Sequence, residues 1–315
     1  MRRRSPDVSA PARAGTAALI GAARAVGESL VRRFRTSLDR WREGDVRGPP
    51  EGDRSLFVGR EQLIARVLST IHNNSILLTG EPGIGKTSIL REIERRLRSI
   101  DDPAYRFFPV YIDLKSTPED RLFATAGDAV LHEVARLCPG SARHDRGSRG
   151  ADYDHRGLAG DLRRTVRALG TTSSKMVRLV LLVDGIDEVD NYHQRTTQRL
   201  RALFMASVAE NLVMVASGSE ISREWEREGS PWYNFFEEIE LAGLCRDDVG
   251  RLVASQMGGR VKLVEGVVER IADVTGGNPA LIRSHCRALL RRLRGQNRRT
   301  VSVADVDALG RSDER

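Results

Sequence analysis

The chain is poor in cysteine, lysine and aromatic residues, and it contains no long hydrophobic run. Three cysteines, Cys138, Cys245 and Cys286, are spread over 315 residues without metal-type pairing. Such a sparse, odd set argues against a disulfide framework and fits reduced thiols. No apolar stretch approaches the ~20 residues that a membrane-spanning helix needs. We therefore expect a cytoplasmic protein with no transmembrane segment.

The charge is strongly basic. The net charge is +8 at pH 7, and arginine supplies nearly all of the positive charge. A basic balance favours acidic partners such as nucleic acid or an anionic surface. A general bias of the proteome towards arginine would give the same composition, so charge alone selects no partner.

The strongest functional signal lies in residues 75–88, Ser-Ile-Leu-Leu-Thr-Gly-Glu-Pro-Gly-Ile-Gly-Lys-Thr-Ser. A short apolar strand leads into a glycine-rich loop and the start of a helix, which is the context that the G-x-x-x-x-G-K-[ST] pattern requires. Glycines let backbone N–H groups turn towards an anion, together with the positive end of the helix. The segment predicts a nucleoside triphosphate site. Its expected contacts are Gly80, Glu81, Pro82, Gly83, Ile84, Gly85, Lys86, Thr87 and Ser88.

Two residues of this loop have the chemistry that a metal–nucleotide complex needs. We expect the Lys86 ammonium to reach the β- and γ-phosphates and the Thr87 hydroxyl to hold Mg²⁺. The sequence has no guanine-reading Asn-Lys-x-Asp, which favours adenine. The expected cofactors are therefore ATP or ADP together with Mg²⁺.

A second signal is the run Arg-Leu-Val-Leu-Leu-Val-Asp-Gly-Ile-Asp-Glu at 178–188. Asp184 ends this apolar strand, at the carboxyl end where α/β sheets bind ligands, and it is predicted to hold the Mg²⁺ shell. Asp187 and Glu188 follow the turn and can orient or deprotonate the attacking water, although solvated turn carboxylates would look the same. The predicted catalytic residues are thus Lys86, Asp184, Asp187 and Glu188.

Apolar runs alternate with segments of helical spacing, which predicts a parallel sheet with helices on both faces. The predicted strands are near 76–78, 107–114, 177–183, 211–216 and 239–241. Residues 139–157 are rich in Gly, Ser, Arg and Asp and are interpreted as a surface loop. Helical patterns near 246–257, 263–274, 279–294 and from Val303 predict a small all-α domain after the sheet.

We therefore expect three regions: a basic extension at 1–53, a phosphate-loop α/β domain at 54–220 and a helical lid at 221–315. The extension carries helical spacing over 17–41 and a Pro/Gly-containing linker at 44–53. A basic amphipathic helix can dock on a partner or a membrane, and it can equally pack on its own domain or self-associate.

These motifs, together with Phe-Val-Gly-Arg at 57–60 and Gly-Gly-Asn-Pro at 276–279, resemble the STAND class of P-loop ATPases. These signal-transduction ATPases are related to AAA+ and origin-recognition-type ATPases. Gly185, directly after the metal-binding acid, is similar to the NACHT-type branch. The resemblance implies an ATP-driven switch that assembles with a protein partner or with itself. It also implies that Val58, Gly59 and Arg60 line the adenine and that Pro279 closes on the base.

One departure from the family concerns the sensing of the γ-phosphate. Members often carry an arginine at the end of the strand that corresponds to 211–216, whereas this chain has Ser217 and Ser219 there. Either hydroxyl can face the γ-phosphate or water. An arginine from a neighbouring molecule can also assist hydrolysis, and Arg195, Arg199 and Arg201 are candidates because their helix follows the strand that ends in Asp184.

A lid helix carries arginines at regular spacing, which are Arg283, Arg287, Arg291 and Arg294. Such a face can neutralise the phosphates of nucleic acid, but a solvated face would have the same pattern. It supports an alternative function, a nucleic-acid-associated AAA+ ATPase such as a loader or transposition-type regulator. A third possibility is an interaction module that holds nucleotide without hydrolysing it.

Overall fold

The computed structural model describes residues 57–72, 74–137, 153–171, 173–208, 211–219, 232, 235–259 and 261–312. All of them belong to one compact unit, Ser55–Arg315. The predicted N-terminal helix and linker lie outside the described residues, as do Cys138 and most of the predicted loop at 139–157. No described helix is long and apolar enough to cross a membrane.

A five-stranded parallel sheet forms the centre of the described unit. Its strands are β1 (Ser75–Thr79), β2 (Tyr105–Asp113), β3 (Met176–Asp184), β4 (Leu212–Ser217) and β5 (Phe236–Glu240), in the order β2-β3-β4-β1-β5. All four pairings are parallel. The predicted α/β fold is confirmed. The boundary predicted at residue 220 falls before β5, which pairs with β1, so the sheet extends to Glu240.

Helices cover both faces of the sheet, because the side chains of its central strands are mostly apolar and buried on both faces. Every residue of β1 and β4 is buried. On one face, Ile76, Leu78 and Val180 pack with helices α1 (Glu61–Thr70) and α2 (Lys86–Ser99). On the other face pack α3 (Leu122–Leu137), α4 (His155–Gly170) and α5 (Gln194–Val208). Burial on two faces is what unbroken parallel strands require.

The lid, residues 246–312, follows the sheet and has its own apolar core. Its helices are α6 (Arg246–Met257), α7 (Val267–Thr275), α8 (Pro279–Gly295) and α9 (Val303–Ser312), with a small parallel pair of strands, β6 (Lys262–Leu263) and β7 (Thr300–Val301). Cys286 lies within this core, and burial raises the pKa of its thiol to about 12. A thiol held protonated in this way serves packing rather than reactivity.

The strand register determines which residues meet at the carboxyl edge of the sheet. Asp184, the last residue of β3, pairs with Asp113 of β2 on one side and with Ser217 of β4 on the other. Ser217 in turn pairs with Leu78, just before the phosphate loop. Because parallel strands end at the same edge, residues distant in sequence converge there.

Candidate functional site

The loop between β1 and α2 turns sharply through glycine. Gly83 has φ +82°, and a Cβ on it would lie 2.8 Å from Cβ of Ala280 in the lid. Gly85 has φ +106° and precedes α2, whose N-terminus has no side-chain cap. The first N–H groups of a helix have no intrahelical partners, so they are available to an anion.

Lys86 folds back over this loop. Its Nζ donates to the carbonyl oxygens of Gly80 at 2.6 Å and Glu81 at 3.1 Å. Burial lowers the pKa of Lys86, while the nearby carboxylates of Asp187 and Asp184 oppose that shift. The ammonium is therefore held beside both the loop and the acids that follow β3.

Asp184 is the centre of a hydrogen-bond cluster, and its side chain is only 2% exposed. Its Oδ2 accepts from the hydroxyls of Thr87 at 2.7 Å and Tyr111 at 2.8 Å, and from Lys115 Nζ at 2.7 Å. Its Oδ1 accepts from Ser217 Oγ at 2.6 Å. Burial opposes ionisation, but hydrogen bonds from Lys115, Ser217 and Thr87 outweigh it and lower the pKa of the Asp184 carboxyl. Asp184 is thus kept as a carboxylate.

The oxygens of Thr87 and Asp184 fit a Mg²⁺ ion. Magnesium prefers hard oxygen ligands and usually takes only one or two from the protein, the rest coming from water and phosphates. Among the described residues, no group of three or more His, Cys, Asp or Glu side chains is arranged to hold a metal. The donor set therefore suits an ion that arrives with a nucleotide.

Asp187 and Glu188 lie on the 3₁₀ turn Ile186–Asn191 and are half-buried. A Cβ on Gly218 would lie 3.4 Å from Oδ1 of Asp187, which shows how closely that carboxylate approaches the end of β4. Oε1 of Glu188 accepts from the backbone N–H of Ser116 at 3.3 Å. Both acids therefore face neighbouring protein groups rather than only solvent.

A cleft between the sheet and the lid continues from the phosphate loop. Its lining is mostly apolar and comprises Phe57, Val58, Arg60, Ile84, Gly85, Ser88, Ile89, Leu244, Leu252, Pro279 and Arg283. Such a lining is typical of the walls of a small-molecule site, but the free space between these walls is only about 30 Å³, so the cleft must widen to hold a nucleotide. Three of the residues expected at the adenine, Val58, Arg60 and Pro279, lie together in this lining.

Gly59 and Arg60 have left-handed backbones, with φ +74° and +70°. A Cβ on Gly59 would lie 2.5 Å from Oδ2 of Asp248, so a side chain here would require a strained backbone and a shift of the Asp248 carboxylate. The Arg60 guanidinium donates to the carbonyl of Ala242 in the connection between β5 and α6. The segment 59–60, just before α1, therefore contacts both the β5–α6 connection and the first lid helix, α6.

Three site residues were missed or misassigned from the sequence, and one of them is Tyr111, whose hydroxyl donates to Asp184. Arg283, assigned to a basic outer face, lines the cleft, and its Nε is buried without a hydrogen-bond partner among the described residues. Burial, and then the charge of Arg287, lowers its pKa. Its spacing of four residues from Pro279 was a usable signal, because residues i and i+4 share a helix face. Lys115 was not considered at all.

The other candidate arginines lie elsewhere. Arg287, Arg291 and Arg294 are exposed on α8. Arg195 and Arg199 are exposed on α5, and Arg201 is half-buried there. None of these six residues lines the cleft described above. Ser219 lies in a bend after β4 and is half-buried, whereas Ser217 contacts Asp184 directly.

A phosphate loop, an acid at the end of β3 and a helical lid define a P-loop ATPase module. The chain belongs to the AAA ATPase domain family, whose model matches residues 56–215. This membership supports nucleotide binding and ATPase activity in general.

Solved structures share the fold at low identity. A Walker-type ATPase of Pyrococcus abyssi has a TM-score of 0.60 and 18% identity, over 78% of this chain and 71% of that chain. The Orc1 protein of Aeropyrum pernix, in complex with DNA, has a TM-score of 0.52 and 16% identity, over 77% of this chain and 63% of its own. Cdc6p of Pyrobaculum aerophilum has a TM-score of 0.52 and 15% identity, over 81% and 66%. No curated protein matches the chain.

Proposed function

We propose that this protein is a Mg²⁺-dependent ATP switch, in which ATP binds between the sheet and the lid and hydrolysis releases the lid. The observation that carries the proposal is the pairing of Thr87 with Asp184 at the base of the phosphate loop. That pairing brings the expected magnesium ligands together at the edge of the sheet where ligands bind. We keep the division into an ATPase part at 54–220 and a lid part at 221–315, except that β5 belongs to the ATPase part.

Each residue of the cluster has a distinct role in this mechanism. When bound, Mg²⁺ supplies positive charge to the phosphates and is held by Thr87 and Asp184. The N–H groups of residues 80–88 and the Lys86 ammonium bind the β- and γ-phosphates. Asp187 or Glu188 accepts the proton of the attacking water, since both follow Asp184 on one short turn.

The lid is connected to the loop by direct hydrogen bonds, which makes it responsive to the phosphates. Asn278 Nδ2 donates to the carbonyl of Pro82 at 3.1 Å, and the N–H of Ala280 donates to Gly83 at 3.3 Å. A ligand shifts such an arrangement only by the difference in its affinity for the two states. Arg283, whose buried Nε has no hydrogen-bond partner in the described part of the chain, is the lid residue that we assign to that difference.

We place the switch in the STAND class, with a NACHT-like turn after Asp184, and propose that its ATP state assembles with a protein partner or with further copies. The support is Gly185 at φ +77°, which lets the chain turn directly into the acids at 187 and 188. An exposed Arg195 or Arg199 can then act as a finger in a neighbouring copy, an effect worth ~10³–10⁵ in rate where it occurs.

The test combines titration calorimetry with ATP and ADP and a phosphate-release assay. We expect Lys86→Ala to lose nucleotide affinity and Asp184→Asn to lose its magnesium dependence. One of the two variants Asp187→Asn and Glu188→Gln should remove the general base. That variant should bind ATP but not hydrolyse it. Lys262→Ala, an exposed lysine of the lid, is the matched control. Unchanged binding and turnover in Lys86→Ala would refute the proposal, and retained ADP without any turnover would indicate an interaction module instead.

The second candidate is a nucleic-acid-associated ATPase, favoured by the exposed Arg287, Arg291 and Arg294 on one helix. The Orc1 structure with which this fold is shared was solved with DNA. We expect salt-sensitive DNA binding that is lost in Arg287→Glu/Arg291→Glu and kept in Arg163→Glu/Arg167→Glu, an equal charge change on α4. Equal mobility shifts for both double variants would show that the arginine face of α8 is not the DNA-binding surface.

A further inference from the structure

Lys115 is located by the sheet rather than by the phosphate loop. β2 ends with Asp113, which pairs with Asp184, and the N–H of Leu114 still donates to the carbonyl of Asp184 at 2.9 Å. The next residue, Lys115, therefore lies beside the end of β3. A Cβ on Gly185 would be 2.8 Å from Cγ of Lys115, so the lysine stem crosses the space that glycine leaves open.

The ammonium at the end of this stem contacts both expected magnesium ligands. Lys115 Nζ lies 2.7 Å from Oδ2 of Asp184 and 3.1 Å from Oγ1 of Thr87. The Lys115 side chain is 53% exposed, whereas that of Asp184 is 2% exposed. A cation on a flexible, half-exposed stem thus neutralises a buried carboxylate and can leave towards solvent without disturbing the core.

We propose that Lys115 is a displaceable counter-ion that occupies the metal position until a nucleotide arrives. The inference rests on the proposed function, since it takes Thr87 and Asp184 as the magnesium ligands. A magnesium ion held by these two oxygens, directly or through a bound water, would take the place of the ammonium that contacts both of them, so the two cations cannot coexist there. Free Mg²⁺ must therefore displace a positive charge and gains no new negative charge in return.

A nucleotide changes this balance because its phosphates bring several negative charges. These charges compensate for the positive charge of the metal. They also attract the Lys115 ammonium, which its flexible side chain allows to move from Asp184 to the phosphates. Lys86 is a second cation of the site, and it already donates to the carbonyls of Gly80 and Glu81. Metal and nucleotide should consequently bind together, and metal alone should bind weakly.

The experiment measures binding of Mn²⁺ alone, without nucleotide, by the loss of the free-ion signal in electron paramagnetic resonance. Lys115→Met removes the charge and keeps most of the stem, and Lys115→Gln also keeps a hydrogen-bond donor for Asp184. We expect both neutral variants to bind one Mn²⁺ about tenfold or more tightly than the wild type, in the range of known effects of neighbouring groups on metal sites. Lys115→Arg, which keeps the charge, and Lys262→Met should bind as weakly as the wild type.

Equal Mn²⁺ affinity in the wild type and both neutral variants would overturn the proposal. An arginine variant that binds Mn²⁺ as tightly as the neutral variants would also overturn it, because charge would not be the cause. Circular dichroism checks that each variant is folded. If Lys115→Met does not fold, Lys115→Gln provides the neutral variant for the Mn²⁺ titration. Binding of a fluorescent ADP analogue in the presence of Mg²⁺ is measured separately. If the wild type binds no nucleotide, the proposed function fails, while the metal titration still tests Lys115.

Discussion

The hydroxyl of Thr87 donates a 2.7 Å hydrogen bond to Oδ2 of Asp184, across 97 positions of sequence. One residue opens the helix after β1, and the other closes β3. Four donors converge on the carboxylate, from Thr87, Lys115, Tyr111 and Ser217. The site is therefore assembled by strand order and register, and each prediction below perturbs one part of that assembly.

Replacement of Thr87 by valine should remove the magnesium dependence of ATP binding. Valine has nearly the same shape but lacks the oxygen, so Asp184 also loses one donor. The loss of a partner for a buried polar group costs about 1–3 kcal/mol. Titration of ATP with and without EDTA measures the effect. Thr87→Ser keeps the oxygen and should retain the difference between the two conditions; a valine variant that retains it too would contradict the assigned role.

Gly185→Ala should destabilise the protein by about 1–3 kcal/mol, the usual cost of a strained backbone position. Gly185 has φ +77°, and a Cβ there would meet Lys115 Cγ at 2.8 Å. Gly170→Ala is the control, because a Cβ at that helical glycine meets nothing within 4 Å. Urea unfolding followed by circular dichroism compares the two. Equal unfolding midpoints would show that the turn after Asp184 tolerates a side chain.

Asn278 should couple the lid to the phosphate loop through its amide. Its Oδ1 caps α8 by accepting from the N–H of Ala280 at 3.0 Å, while its Nδ2 donates to the carbonyl of Pro82. Asn278→Asp keeps the cap but puts an acceptor against the Pro82 carbonyl in place of the donor, so we expect weaker ATP binding and a loss of about 1–3 kcal/mol of stability. Asn278→Ala loses both and should also cost about 1 kcal/mol of stability or more. Thermal unfolding and calorimetry separate the two effects, and equal ATP affinity in all three proteins would refute the coupling.

Arg283→Met should weaken ATP binding more than ADP binding, because the guanidinium lines the cleft and is assigned to the phosphate end. Methionine keeps the apolar stem, so packing against the lid core is largely preserved. Arg287→Met, one turn further along the exposed face of α8, is the matched control. Competition with a fluorescent ADP analogue gives both affinities. An equal loss for ATP and ADP would assign Arg283 to the base or ribose instead.

The lid should owe part of its stability to an ionised Asp305. Hydrogen bonds from Arg298, together with those from the backbone and hydroxyl of Ser302, outweigh burial and hold the pKa of the Asp305 carboxyl far below its usual range. A lowered folded-state pKa stabilises above the unfolded value, about 3.9, and this stabilisation is lost as the pH falls towards the folded value.

The difference in unfolding free energy between wild type and Asp305→Asn should therefore be largest near neutral pH and shrink below about pH 4. Arg298→Gln removes the main hydrogen-bond partner of Asp305. Its difference in unfolding free energy from the wild type should also shrink over the same pH range. Urea unfolding at neutral pH and near pH 3 measures both. A difference that stays constant with pH would show that the charge of Asp305 is irrelevant.

The phosphate loop was predictable because its chemistry depends on residues that are adjacent in sequence. Glycine, lysine and threonine must follow one another for the loop to close over an anion, and the apolar runs on either side reveal the strand and the helix. The apolar run 179–183 likewise indicated that Asp184 would end a buried strand. The same logic predicted the alternation of strands and helices, and hence the parallel sheet.

Lys115 and Arg283 show where sequence reasoning stopped. Nothing in Asp113-Leu114-Lys115 indicates that β2 lies next to β3, since strand order is not written in local periodicity. Arg283 belongs to a regular row of arginines, yet the docking of α8 on the phosphate loop buries the first member and leaves the others exposed. Similarly, β5 lies beyond the predicted boundary because its partner, β1, is about 160 residues earlier in the chain.

The sequence by itself determined that this chain carries a glycine-rich loop of the phosphate-binding type, because that pattern uses backbone donors and side chains in consecutive positions. Only the tertiary structure decided which charges surround Asp184 and which arginine faces the cleft. Both features depend on the strand order, on the register of β2 against β3 and on the position of the lid against the phosphate loop. All three arise from packing between segments that are distant in sequence.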